Sequence, residues 1–211
     1  MAIGRDALGG SINGGDTNIA IGNYSLDANT SGDLNVGLGY VALTQNSTGS
    51  SNVGIGNSAM QLNQTGSSNT TLGNNSMKSS LSSSYNTAVG AEALFDANRT
   101  ADTDGYNTAL GYNAGNTGTN DITTGNKNTL LGASTAASAA AGTNQTVIGF
   151  GASGTADNSV TIGNSSVTAW YPGSDDTADL GSNSVEFKDL YIDGTANLDA
   201  VDIDGGAIDG S

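Results

Sequence analysis

Apolar residues along this chain recur at fixed places before a repeating glycine. In most copies a polar residue, usually Asn, precedes an apolar residue or Thr, a mostly small residue, an aliphatic residue and then the glycine. Strand-like alternation between glycine-rich segments is typical of short strands joined by turns. Each copy therefore predicts a strand, a turn, a second strand and a second turn. The anchor glycines, mostly 17 residues apart, are Gly4, Gly22, Gly39, Gly56, Gly73, Gly90, Gly111, Gly132, Gly149 and Gly163.

The side chains of each predicted strand divide between two faces. Residues three and one before the glycine share a face because side chains alternate along a strand. They are aliphatic in the early copies, as in Ile19 and Ile21, so we predict that they face the interior of the roll. The residue between them is mostly small, which would let another surface approach closely. We therefore predict a subunit interface at that position, formed by Ala20, Gly37, Gly54, Thr71, Ala88 and Ala109.

The copies must stack because one copy cannot bury its own apolar face. Ten coils at roughly 4.8 Å each would form a rod of about 50 Å. A helical fold is excluded, since Asn, Gly, Thr and Ser dominate every copy and no window has an apolar stripe at helical spacing. For the Ala-rich residues 133–141 we predict a turn or an outer strand. The predicted fold class is all-β, a parallel β-roll (β-solenoid) of about ten coils.

Composition argues against an enzyme and against a nucleic-acid partner. The net charge of −15 lacks the clustered Lys and Arg that phosphate binding needs, and half of the 20 acidic residues lie in residues 175–211. Without His or Cys, a conventional triad or a thiol nucleophile is excluded. Carboxylate pairs for a glycosidase exist, but nothing in the sequence supplies a cleft. We also expect no membrane insertion, because no apolar run approaches ~20 residues. The carboxylate pairs are Asp102 with Asp104 and Asp175 with Asp176.

Two consecutive copies resemble a known family. Residues 86–94 (Asn-Thr-Ala-Val-Gly-Ala-Glu-Ala-Leu) and 107–114 (Asn-Thr-Ala-Leu-Gly-Tyr-Asn-Ala) resemble the head repeats of trimeric autotransporter adhesins. The 17-residue form resembles repeats in phage and prophage tail fibres. The resemblance covers residues 1 to about 167. It implies that the β-roll is left-handed and assembles as a homotrimer.

The acidic C-terminal segment has a resemblance of its own. Residues 179–182 (Asp-Leu-Gly-Ser) and 187–191 (Phe-Lys-Asp-Leu-Tyr) resemble a segment that often precedes the self-cleaving chaperone domain of phage tail fibres. We predict two domains, a β-roll head over 1–168 and an acidic, β-rich neck over 169–211. Neither the chaperone nor a signal peptide, a coiled-coil stalk or a membrane anchor is apparent. We therefore expect a fragment or a processed product of a longer fibre.

Two copies are four residues longer than the common repeat. Added residues in a solenoid bulge from its surface, so the loops at 95–105 and 116–127 are candidates for receptor contact. The alternative is that they are tolerated decoration without a role. The candidate contact residues are Arg99, Asp102, Asp104, Asp121 and Lys127.

Aromatic and acidic residues offer two further binding hypotheses. Four aromatic residues near anchor glycines predict either a strip for sugars or packing on the trimer surface: Tyr24, Tyr40, Tyr112 and Phe150. No cofactor and no metal site is predicted. Calcium binding by the tail is the alternative to a purely acidic cap, because hard cations prefer oxygen ligands. The tail acids concerned are Asp199, Asp202, Asp204 and Asp209.

The leading functional hypothesis is a structural and receptor-binding segment of a trimeric phage tail fibre, located on the virion. Its predicted partners are two further copies of the chain and a host cell-surface receptor or glycan. The head of a bacterial trimeric surface adhesin is an alternative, as is a tail-spike glycosidase or lyase. An ice- or mineral-binding solenoid is suggested by recurring Thr, but these share a face with residues that we predict to point inward. The Thr residues are Thr70, Thr87, Thr108, Thr129 and Thr146.

Overall fold

Ten short parallel strands, stacked in chain order, form one continuous sheet. The computed structural model describes residues 1–10, 15–97, 105–171, 180, 184–185, 187–189 and 191–192, and no helix occurs among them. The predicted fold class is confirmed: the chain is all-β, a β-solenoid of about 9 turns. The strands are β1 (Ala2–Ile3), β2 (Ile19–Ile21), β3 (Val36–Leu38), β4 (Val53–Ile55), β5 (Thr70–Leu72), β6 (Thr87–Val89), β7 (Thr108–Leu110), β8 (Thr129–Leu131), β9 (Thr146–Ile148) and β10 (Val160–Ile162).

Each strand ends at an anchor glycine that no other residue could replace without strain. Gly22 has a φ of 131° and Gly39 a φ of 140°, a region that L side chains rarely adopt. A Cβ atom on Gly22 would also overlap the carbonyl oxygen of Gly39 in the next coil. The glycine therefore serves both the turn and the close stacking of successive coils.

The predicted assignment of the two strand faces is wrong. In β2 to β9 the middle residue is buried and points into the solenoid, and the two flanking residues point outward. Ile19 is 39% exposed and Leu110 45%, whereas the residues predicted to form the trimer interface are buried within a single copy. Residues that are buried within one copy cannot contact another subunit, so the interface prediction fails for Ala20, Gly37, Gly54, Thr71, Ala88 and Ala109.

The reason for the inversion is the width of the coil. From β2 to β6, a large residue from the turn after the anchor glycine fills the interior, which leaves room only for a small residue on the strand opposite. A Cβ on Gly54 would lie 3.1 Å from Cγ of Leu43, and a Cβ on Gly37 would lie 3.3 Å from Cγ of Leu26. The large residues of this column are Leu26, Leu43, Met60, Met77 and Leu94, all fully buried.

The core exchanges its large and small positions near the seventh coil. Gly115 stands where the earlier coils have Leu or Met, while the strand position opposite changes from Ala109 to Leu130. A Cβ on Gly115 would lie 3.0 Å from Cδ1 of Leu130 and 3.5 Å from Cγ1 of Ile122. Ile122 comes from the longer loop and is fully buried. The loop therefore completes the core instead of only decorating the surface.

Buried amide side chains join each coil to the next. The backbone N–H of Asn52 donates to Oδ1 of Asn35 (3.0 Å), and Nδ2 of Asn52 donates to the carbonyl oxygen of Gly66 (2.8 Å). These bonds run along the solenoid, from one coil to the next. The ladder consists of Asn18, Asn35, Asn52, Asn69, Asn86, Asn107, Asn128 and Gln145.

The chain divides into two compact units, Met1–Thr168 and Ala169–Ser211. All ten strands lie in the first unit. Within it, residues 133–141 form turns, and Ala136 makes a parallel bridge to Ser153, in agreement with the predicted turn or outer strand. Few residues of the second unit are described, so the β-rich neck stays a prediction.

Candidate functional site

The outward face of the sheet is the most extended surface feature of the solenoid. Parallel register aligns the third residue of every strand with its counterpart in the next coil, as Leu72 pairs with Val89. This position is aliphatic in all ten strands, and several of its members are more than 40% exposed. We call it the aliphatic row: Ile3, Ile21, Leu38, Ile55, Leu72, Val89, Leu110, Leu131, Ile148 and Ile162.

The first residue of each three-residue strand, β2 to β10, forms a second row on the same face. In β2 to β4 this residue is aliphatic, and in the next five strands it is Thr. The threonines point outward, so the prediction that they face the interior is wrong for the same reason as above. The outward residues are Thr70, Thr87, Thr108, Thr129 and Thr146, of which all but Thr146 are exposed.

Neither row contains a charged side chain. Neighbouring coils in a parallel sheet lie roughly 4.8 Å apart, so the aliphatic row extends for about 43 Å. The outward face is therefore a long, uncharged surface. It has no group that could act as an acid, a base or a nucleophile apart from the Thr hydroxyls.

The loop residues predicted to contact a receptor are only partly placed. Arg99, Asp102 and Asp104 lie outside the described residues. In the second loop, Oδ1 of Asp121 accepts the backbone N–H of Gly118 (2.6 Å), so this carboxylate shapes its own turn. Lys127 is exposed, and its backbone N–H donates to the carbonyl oxygen of Gly105 (2.8 Å).

The aromatic residues predicted to form one strip fall into different groups. Tyr24 and Tyr40 make an edge contact at 6.3 Å between ring centroids, with the Arg5 guanidinium 4.6 Å from the Tyr24 centroid. Tyr112 and Phe150 stand on later coils, 56% and 74% exposed. The sequence interpretation missed a stacked pair elsewhere on the solenoid. Its signal was an aromatic residue directly before the Asn of two consecutive copies, Tyr85 and Tyr106.

A shallow cavity of about 320 Å³ lies near the end of the solenoid. Gln145 organises its polar side, since Nε2 donates to Oγ of Ser138 (2.7 Å) and to Oδ1 of Asp157 (3.0 Å). Asp157 is the one carboxylate among the described lining residues, and glycoside hydrolysis usually needs two. Among its described lining residues, the cavity therefore lacks the pair that a glycosidase would use.

The remaining carboxylates considered for catalysis or calcium lie outside the described residues. Across the part of the chain that the structure describes, no group of three or more His, Cys, Asp or Glu is arranged to hold a metal ion. The unplaced acids are Asp175, Asp176, Asp199, Asp202, Asp204 and Asp209.

Comparison with protein-family models, with curated proteins and with solved structures finds no match to this chain. Among the described residues, no helix has the length and hydrophobicity needed to cross a membrane. Functional interpretation therefore depends on the repeat, the outward face and the exposed aromatic residues.

Proposed function

We propose that this chain is a structural and receptor-binding segment of a homotrimeric fibre, specifically of a phage tail fibre on the virion. The aliphatic row supports the proposal. Monomeric soluble proteins rarely expose long contiguous apolar surfaces, and such surfaces mark association sites. A second copy of the solenoid is the partner of matching shape, because it presents the same straight, neutral row at the same spacing.

The resemblances in the sequence support two parts of this proposal, the number of copies in the assembly and its viral origin. The repeats favour three copies around one axis, and residues 179–191 favour a tail fibre over a bacterial trimeric adhesin head at the cell surface. In this assembly the solenoid holds its exposed loops and aromatic residues away from the particle. Three copies then multiply weak contacts with a host receptor or glycan.

We further propose that this function involves no catalysis, no cofactor and no nucleic-acid partner. The absence of His and Cys from the sequence and the net charge of −15 support this view. Calcium binding by the acidic tail is an addition that the fibre proposal does not require.

A second candidate function, binding to ice or a mineral surface, is favoured by the outward direction of the Thr row. Five consecutive strands begin with Thr, so their hydroxyls repeat at about 4.8 Å along a flat sheet. The neighbouring row, however, is aliphatic throughout. A face that is half aliphatic suits a protein partner better than it suits an ice or mineral surface. For this reason the fibre is our leading proposal.

Sedimentation equilibrium of the purified chain tests the assembly. We expect a species of three times the 20.8 kDa chain mass at micromolar concentration. Replacing Leu72 and Leu110 with Asp should weaken assembly by at least about 100-fold, because burying unpaired carboxylates costs several kcal/mol. A matched control with the same charge change replaces Gln45 and Gln64, two exposed residues outside both rows.

A monomer at micromolar concentration, or a Leu72→Asp/Leu110→Asp variant that assembles as well as the Gln control, would refute the proposal. Thermal hysteresis of the same preparation separates the second candidate. We expect none from the assembled protein, because its Thr row would be covered. Hysteresis that is lost in Thr87→Leu/Thr108→Leu would replace the fibre with an ice-binding function.

A further inference from the structure

The stacked pair Tyr85 and Tyr106 forms one end of an exposed shelf on the solenoid. The two rings lie 5.1 Å apart between centroids with an interplanar angle of 11°. Both side chains are about half exposed, 48% for Tyr85 and 50% for Tyr106. The ring separation matches the coil spacing of roughly 4.8 Å, so the rings stack along the solenoid axis. The other face of Tyr85 therefore looks along the axis towards the preceding coil.

Small hydroxyl residues occupy the equivalent positions of the two preceding coils. Ser68 and Ser51 stand one and two coils before Tyr85, and both are exposed. Like Tyr85, they have positive φ values, 58° and 59° against its 59°, so all three occupy the same turn position. Leu34, 56% exposed, closes the row one coil further on. We call the surface formed by Leu34, Ser51, Ser68 and Tyr85 the serine shelf. Three coil spacings give it a length of about 14 Å.

The serine shelf combines an aromatic wall with a hydroxyl floor. The flat face of a pyranose presents C–H groups that pack against an aromatic ring, while its edge presents hydroxyls that exchange hydrogen bonds with Ser. None of the residues that form the shelf is charged. These features suit a neutral oligosaccharide and give no counter-charge to an acidic one.

We propose that the serine shelf binds a neutral oligosaccharide, with one sugar ring stacked on Tyr85 and its hydroxyls directed to Ser68 and Ser51. The inference rests on the proposed function, since it assigns the chemical class of the receptor that the fibre contacts. It also moves the binding site away from the longer loops, where the sequence pattern had indicated it.

The test uses a matched pair of tyrosine variants of the full chain. Tyr85→Ser continues the row of Ser51 and Ser68, so the backbone conformation is one that Ser already adopts in two neighbouring copies. Tyr171→Ser removes a tyrosine of the second unit that is 89% exposed, and it serves as the control. A printed array of neutral and acidic glycans is probed with each protein, and the strongest neutral glycan is then titrated by NMR.

We expect neutral glycans to bind, Tyr85→Ser to weaken binding by about tenfold or more, and Tyr171→Ser to leave it unchanged. One lost aromatic stacking contact, about 1–3 kcal/mol for nucleobases, corresponds to such a factor. An array without signal, binding of acidic glycans alone, or equal binding by Tyr85→Ser would each overturn the proposal.

Mass photometry on the same preparations separates this proposal from the fibre assembly. A monomer that binds neutral glycans through Tyr85 would contradict the proposed assembly and support glycan binding at the serine shelf. A trimer that Tyr85→Ser dissociates would show that Tyr85 is covered by another copy, and it would remove the shelf. A trimer that binds no glycan would likewise contradict glycan binding at the serine shelf and support the proposed assembly.

Discussion

At the scale of single residues, buried amides hold the coils together. Backbone bonds join successive coils in the turns as well as in the strands, as where the N–H of Leu26 donates to the carbonyl oxygen of Ala42 (3.0 Å), and the amides add a buried ladder beside them. Asn suits this ladder because its side chain can donate and accept at once: Nδ2 of Asn69 donates to the carbonyl oxygen of Ser83 (2.8 Å), and its Oδ1 accepts the backbone N–H of Asn86 (2.9 Å). Composition rich in Asn is therefore a requirement of the buried interior and not only of the turns.

Replacing Asn69 with Ala should lower the stability of the solenoid. The backbone N–H of Asn86 and the carbonyl oxygen of Ser83 would each lose a buried partner, at about 1–3 kcal/mol for each unsatisfied group. Thermal unfolding followed by circular dichroism measures the loss. Asn74→Ala is the control, since Asn74 is exposed, and we expect its melting temperature to match that of the wild type. Equal melting of both variants would contradict the structural role of the ladder.

At the scale of one element, each strand has an inside and an outside that sequence periodicity can separate but cannot orient. The alternation correctly grouped Ile19 with Ile21, and it correctly set Ala20 apart from them. The assumption that larger apolar residues lie inside then reversed the faces. The deciding fact is three-dimensional: Leu26 from the following turn already fills the interior beside the strand. Only the distance across the coil reveals this.

The longer loop shows the same limit of sequence reasoning. Its length correctly predicted a departure from the regular coil, but the pattern gave no sign that Ile122 would be fully buried. The compensating pair, Gly115 and Leu130, is visible in the sequence as two exceptions to the repeat. Their connection follows only from the register, which sets Leu130 beside Gly115 across the core.

Two adjacent leucines in β8 provide a direct test of the corrected orientation. Leu130 is 1% exposed and Leu131 is 42% exposed. Leu130→Ala should destabilise the solenoid by about 2–5 kcal/mol, because it leaves a cavity beside Gly115. Leu131→Ala should change folding stability by less than about 1 kcal/mol and should instead weaken assembly. Thermal unfolding of dilute protein and sedimentation equilibrium measure the two effects. The reverse order of unfolding temperatures would restore the original assignment of faces.

At the scale of the whole molecule, charge and apolar surface are segregated. The chain has 20 acidic and 5 basic residues, yet both rows of the outward face are neutral. Assembly through this face therefore joins apolar surfaces while it brings together chains that each carry a net charge of −15. Attraction at the face is short in range, whereas repulsion between the chains extends over a Debye length. Added salt therefore weakens the repulsion between the chains and leaves the apolar attraction unchanged. An interface made of ion pairs would instead be weakened by salt.

Raising NaCl from about 0.1 M to about 1 M should therefore strengthen assembly. This change shortens the Debye length from about 10 Å to about 3 Å, which screens the repulsion between acidic chains and leaves the apolar contact intact. We expect the dissociation constant measured by sedimentation to fall by about threefold or more. The Leu131→Ala protein should have a larger dissociation constant with the same salt dependence, because the substitution alters the contact area and not the charge. Weaker assembly at high salt would mean that ion pairs hold the copies together, and the outward face would then lose its role as the interface.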